Sequence, residues 1–142
     1  MLSIPAKEII MLPVLQTKMH DPPNQNGNCL AAAIASILEI NINDIPKFED
    51  MDKEWWNNLI QFLDKIGFSL AFYSEDIGLP GFYFVMGTSP RNPKINHQVI
   101  YKNGKLVHDP HPDGTGILDV KEVWVLVPHD PSKFVSYKKK EM

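Results

Sequence analysis

The chain has 142 residues, of which 44% are hydrophobic and 22% are charged, and its net charge is −3. This size and composition predict one domain with a single core and exclude a chain that is disordered by composition. The acidic balance argues against nucleic acid as the main partner, and no apolar run is long enough to predict a membrane span.

The single cysteine, Cys29, excludes an internal disulfide and a cysteine-rich zinc site. The first 15 residues contain Pro5 and Pro13 and lack a basic stretch followed by an apolar block. We therefore expect no secretory signal and a cytoplasmic location.

The first third of the chain predicts an arm, a polar loop and a helix. Residues 8–16 are apolar but broken by a proline, which favours a short edge strand or an extended arm. Residues 20–28 are rich in Asp, Pro, Asn, Gln and Gly and predict a loop. Residues 29–38 are apolar nearly all round and predict a buried helix, with Asn28 at its N-cap.

The rest of the chain predicts a second helix followed by strands. Apolar residues at helical spacing cover residues 51–67, and the strands predicted from period-two patterns are 68–73, 81–86, 97–102, 105–109 and 122–127. Helices followed by antiparallel strands favour an α+β fold, in which the buried helix packs on a small antiparallel sheet. We expect one domain over residues 1–142, with residues 1–28 as arm and polar loop and residues 138–142 as a flexible basic tail.

Three residues with complementary chemistry fall at the ends of predicted elements. Cys29 opens the buried helix, His97 opens a strand, and Asp109 ends the next strand. Asn103-Gly104 predicts a two-residue hairpin between these strands, with Gln98 opposite Asp109 and His97 as the diagonal neighbour. A carboxylate in that place can orient an imidazole.

This set predicts nucleophilic catalysis by a thiol. A helix N-terminus favours the thiolate, a histidine accepts its proton, and a carboxylate fixes the histidine tautomer. The backbone N–H of Cys29 and an amide of the preceding loop, for which we choose Gln25, are expected to receive the oxyanion. Asn24, Asn28 and Trp56 are the expected substrate contacts.

The motif Gly27-Asn28-Cys29 before an alanine-rich helix, the His97 strand and Asp109-Pro110 together resemble the papain-like cysteine peptidases. They are most similar to the small bacterial members that cleave bacteriocin leaders. Residues 27–40, 87–91 and 107–117 also resemble small proteins of bacteriophages and bacteria. The resemblance implies a papain-like fold, a Cys-His-Asp triad and, for a phage protein, the host cytoplasm. Pro23 occupies the position where this family places its oxyanion glutamine.

Simpler interpretations exist for the same residues. A cysteine at the edge of an apolar helix is often only a small buried side chain, and an aspartate before a proline, such as Asp109, also opens turns. His108, Asp109, His111 and Asp113 have some character of a metal site, but the prolines at 110 and 112 keep them off one helix face. We expect neither a metal nor a cofactor.

The predicted function is a cysteine-dependent hydrolase that cleaves a peptide, isopeptide or other amide bond through a thioester. Its expected partner is a protein or peptide substrate. The alternatives are a transglutaminase-like acyltransferase and a non-catalytic binding module acting in a phage–host pathway. The sequence selects neither the substrate nor the oligomeric state.

Overall fold

The computed structural model describes residues 11–130. These residues form two α-helices and five strands, joined between the helices by three short 3-10 helices: α1 (Cys29–Leu38), Ile42–Asp44, Phe48–Asp50, Asp52–Glu54, α2 (Trp55–Lys65), β1 (Phe68–Tyr73), β2 (Tyr83–Thr88), β3 (Asn96–Lys102), β4 (Lys105–His108) and β5 (Glu122–Pro128). The strands form one antiparallel sheet in the order β1-β5-β2-β3-β4. This arrangement confirms the α+β class.

The core lies between the helices and the sheet. Helix α1 packs on β3 and α2 packs on β1. Every residue of α1 from Ala31 to Leu38 is buried, and its alanines let the helix lie close to its neighbours. Within the described range, neither helix is long and apolar enough to cross a membrane.

The predicted elements are confirmed with shifted ends. Helix α1 has the predicted bounds, whereas α2 begins at Trp55 because residues 52–54 form a 3-10 helix. The strand predicted at 81–86 runs instead over Tyr83–Thr88. Residues 11–16 form no strand, while residues 8–10 of the predicted arm and the tail at 138–142 lie outside the described residues.

The hairpin between β3 and β4 forms at Asn103-Gly104, as predicted. Both residues have positive φ, 55° and 77°, which suits a tight hairpin turn. Beyond the turn, a bulge at Ile100/Tyr101 places His108 opposite Ile100. The predicted pairing of Gln98 with Asp109 is therefore wrong, and Asp109 lies just past the end of β4.

The described part of the arm, residues 11–18, joins α1 to the loop after β4. The N–H of Val14 donates to Oγ of Ser36 at 2.9 Å, on α1. The N–H of Gln16 donates to the carbonyl of Pro110, also at 2.9 Å, after β4. The arm is thus held between the two elements that carry Cys29 and Asp109.

Candidate active site

Cys29 is the first residue of α1 and is half-buried at the edge of a cleft of about 520 Å³. Asn28 occupies the N-cap position of α1, as predicted, but among the described residues its side chain accepts no capping bond from the helix. Its Oδ1 instead accepts the N–H groups of Thr17 and Lys18 at 3.0 and 2.9 Å. The amide therefore ties the arm to the start of α1 and leaves the first-turn N–H donors beside the thiol.

His97 and Asp109 form a buried pair. His97 Nε2 and Asp109 Oδ1 lie 2.6 Å apart, and the two residues are 4% and 7% exposed. The carboxylate also accepts the N–H of His111 at 2.9 Å and that of Gly116 at 2.7 Å. Asp109 therefore orders the loop that follows it and orients the imidazole at the same time.

The His97 ring lines the same cleft as Cys29 and lies close enough to its thiol to interact with it electrostatically. Burial lowers the pKa of His97, but the hydrogen bonds to Asp109 and then to Cys29 outweigh it and raise this pKa to about 9. Burial raises the pKa of Asp109, and the bonds from His97, His111 and Gly116 outweigh that effect and lower it. Because Nε2 faces Asp109, Nδ1 is the ring nitrogen available to Cys29.

Two loops form the walls of the cleft. One wall comes from residues 16–29, and the other comes from residues 89–97. His111 also lines the cleft, with its ring centroid 6.3 Å from that of His97 in an edge-to-face arrangement. Arg91 connects the second of these loops to the loop after β4, since its guanidinium donates to both carboxylate oxygens of Asp113 at 3.0 Å.

The cleft contains an amide that the sequence analysis missed. Gln16 is 7% exposed and lines the cleft. Its Nε2 donates to the carbonyl of Lys18 at 2.9 Å, and its Oε1 has no partner among the described residues. A Cβ on Gly27 would lie 2.9 Å from the backbone N of His20 and 3.4 Å from this Nε2, so only a glycine lets the arm close here. The sequence feature that could have pointed to Gln16 is that it is the one amide at the end of an apolar arm.

The structure does not bring Gln25 to the cleft. Its side chain is exposed and donates to the carbonyl of Met19 at 2.8 Å, and it is outside the cleft lining described for residues 11–130. Asn24 is likewise exposed, with its amide on Asp21 at 3.2 Å. Asn28 borders a smaller cavity of about 220 Å³ beside Cys29, and Trp56 lies in a separate aromatic groove.

No family model, curated protein or solved structure matches this chain. Chemical interpretation of the site thus comes from its geometry. Between residues 11 and 130, no group of three or more His, Cys, Asp or Glu side chains is placed to hold a metal ion. The structure does assemble a thiol, an imidazole and a carboxylate in series, beside backbone N–H donors and one buried amide.

Proposed function

We propose that the protein is a cysteine-dependent hydrolase of papain-like type that cleaves a peptide, isopeptide or other amide bond. The observation that supports it most is the position of His97. This buried ring contacts the carboxylate of Asp109 at 2.6 Å and lines an open cleft together with Cys29, whose thiol is near enough to raise the pKa of the ring. A nucleophile, a base and an orienting group in one series are the parts that acyl transfer through a thiol requires.

The reaction begins with the thiol proton on Nδ1 of His97 and a thiolate on Cys29. The sulfur attacks the carbonyl carbon, and the carbonyl oxygen becomes an oxyanion. Collapse of this intermediate breaks the C–N bond, and the leaving amine takes the proton from His97, which leaves a thioester. Water then attacks the thioester while His97 accepts its proton, and the acid and the free thiol are released.

We assign the oxyanion to the amide of Gln16, which is buried and lines the cleft together with Cys29, and to the backbone N–H of Cys29. One hydrogen of its Nε2 is used by the carbonyl of Lys18, and the group carries a second hydrogen. The side chain is also buried and held, since the backbone N–H of Gln16 is fixed on Pro110. A fixed donor at a cleft wall stabilises developing charge without having to reorganise.

The test is the rate at which iodoacetamide alkylates Cys29 at neutral pH. We expect the wild type to react at least about tenfold faster than glutathione, because the His97 imidazolium favours the thiolate. His97→Ala should fall to the rate of the free thiol. His129→Ala is the matched control, since His129 bonds to Ser69 and is outside the cleft lining within the described chain.

A wild-type rate equal to that of glutathione, unchanged by His97→Ala, would overturn the proposal. It would favour the alternative of a non-catalytic binding module that uses the same cleft. Intact-mass spectrometry gives the readout, because the chain has one cysteine and the adduct that is missing in Cys29→Ala is therefore the one on Cys29.

A further inference from the structure

A second concave surface, the aromatic groove, lies near the cleft and has a volume of about 540 Å³. Its main lining residues are Trp55, Trp56, Phe72, Asn96, Glu122 and Trp124. The rings pack on one another: Trp55 and Trp124 stack with centroids 6.5 Å apart, and Trp56 meets Trp124 edge-on at 5.4 Å. Phe72 remains 48% exposed, so the ring surface is open at this end.

The groove adjoins the cavities that surround the thiol. Asn96 borders both the groove and the cleft that contains Cys29. Trp55 borders both the groove and the smaller cavity beside Cys29. A polypeptide with its reacting carbonyl at Cys29 therefore has this groove beside its path as a place for a neighbouring side chain.

The charges along this path are acidic. Glu122 lines the groove, and its Oε1 accepts the indole N–H of Trp124 at 2.8 Å. Asp52 and Glu49 line the smaller cavity, where Lys18 pairs with Glu49 at 2.6 Å. Among the described residues, no lysine or arginine lines either cavity, although the ammonium of Lys121 contacts Asn96 at 3.0 Å on the groove's edge.

We propose that the aromatic groove binds a lysine or arginine side chain of the substrate, next to the bond that Cys29 attacks. Tryptophan faces attract such cations, the aliphatic part of the side chain packs on the rings, and the carboxylate of Glu122 meets the charge. That the cation belongs to a substrate rests on the proposed function. That the groove binds a cation rests only on its aromatic rings and its carboxylate.

Tryptophan fluorescence reports this binding without a label, because all three tryptophans of the chain line the groove. On Cys29→Ala, which carries out no acyl transfer, we would titrate a blocked pentapeptide of glycines with a central arginine. Matched peptides carry citrulline, which has the same shape without the charge, or norleucine. We expect a saturable change that requires at least about fivefold less arginine peptide than citrulline peptide.

Glu122→Gln should remove most of the preference for arginine over citrulline, while the amide still accepts the indole N–H of Trp124. Glu75→Gln, at an exposed position outside the groove lining described here, should leave the preference intact. Norleucine binding as tightly as arginine, no effect of Glu122→Gln, or no response to any peptide would each overturn the inference. Failure of the proposed function appears separately, as slow alkylation of wild-type Cys29.

Discussion

At the scale of single residues, Asp109 shows that the structural and the functional interpretations of a side chain can both hold. Its two carboxylate oxygens accept the imidazole of His97 and the backbone N–H groups of His111 and Gly116. The turn that follows Asp109 therefore keeps the carboxylate where the ring needs it. A carboxylate with three donors is also held in its charged form, which agrees with its lowered pKa.

The role of Gln16 is testable by comparing two reactions of the same thiol. Acylation of Cys29 by p-nitrophenyl acetate passes through an oxyanion, whereas alkylation by iodoacetamide does not. We expect Gln16→Ala to slow acylation by about a hundredfold, the typical effect of losing one oxyanion donor. The alkylation rate should be unchanged, which also shows that the variant is folded.

Gln25→Ala is the matched control for that experiment. The Gln25 amide is exposed and donates to Met19, so both rates should match the wild type. If acylation is slower in Gln25→Ala and unchanged in Gln16→Ala, the oxyanion donor is Gln25 and not Gln16. Stopped-flow release of p-nitrophenolate measures the first acylation event.

Ser36 holds the arm that carries Gln16. It is fully buried on α1, and its Oγ accepts the N–H of Val14 at 2.9 Å and donates to the carbonyl of Ala32 at 2.8 Å. Ser36→Ala leaves the Val14 donor without this partner. We expect the free energy of unfolding to fall by about 1–3 kcal/mol in urea denaturation.

Ser69→Ala is the comparison for Ser36→Ala, because the Ser69 hydroxyl bonds to His129 at an exposed position. Its cost should stay within about 0.5 kcal/mol. Equal stability of the two variants would show that the Ser36 hydroxyl does not hold the arm.

At the scale of elements, the local patterns predicted what local interactions decide. The apolar run of α1 gave its bounds, and Asn103-Gly104 gave the hairpin, because both depend on neighbouring residues. The bulge at Ile100/Tyr101 and the place of β5 between β1 and β2 depend on packing across the sheet. Hydrophobic alternation alone does not encode either feature.

The candidate site divides in the same way. Cys29 and His97 were recognisable because each opens an element, and Asp109 because it ends one. Gln16 was not recognisable, since its position is fixed by a bond to Pro110 that is remote in sequence. The absence of a capping bond from Asn28 was not predictable for the same reason. Its Oδ1 accepts the N–H groups of Thr17 and Lys18, which are remote in sequence, instead of an N–H of the helix.

The close approach of the loop at residues 117–119 to β2 depends on Gly87. This glycine lies opposite His97 in the sheet. A Cβ at Gly87 would overlap the carbonyl oxygen of Asp119 and lie 2.8 Å from Cδ1 of Ile117. We expect Gly87→Ala to reduce the free energy of unfolding by about 2 kcal/mol or more, because backbone must move to make room.

Gly81→Ala is the matched control for Gly87→Ala. An added Cβ there meets nothing within 4 Å, and Gly81 has no positive φ. Its free energy of unfolding should stay equal to the wild type or rise by about 0.5 kcal/mol. A Gly87→Ala variant as stable as Gly81→Ala would show that the loop yields without cost.

At the scale of the whole molecule, the site joins the two layers of the fold. Cys29 comes from α1 and His97 from β3, and these two elements pack directly on each other. The buried alanines of α1 set this separation, so the distance between the thiol and the ring is fixed by core packing. Any change that moves the helix relative to the sheet therefore alters the chemistry as well as the stability.

The buried pair of His97 and Asp109 makes stability depend on pH. The pKa of His97 rises from 6.5 in the unfolded chain to about 9 in the fold, so the folded state binds this proton more tightly. The resulting stabilisation, at most about 3 kcal/mol, is complete below pH 6.5 and is lost as the pH rises to about 9. Urea denaturation of the wild type across this window should show the fall.

Variants test whether this fall in the free energy of unfolding comes from the pair of His97 and Asp109. Asp109→Asn removes the largest interaction that holds the proton on His97, so its free energy of unfolding should be lower at pH 6.5 and should fall less steeply up to pH 9. His129→Ala should keep the wild-type slope, since that ring is exposed. Cys29→Ser should keep the part of the slope that comes from Asp109. A wild type with no fall between pH 6.5 and 9 would mean that His97 is neutral in the fold, and the ring would then take the thiol proton during the attack before it passes that proton to the leaving amine.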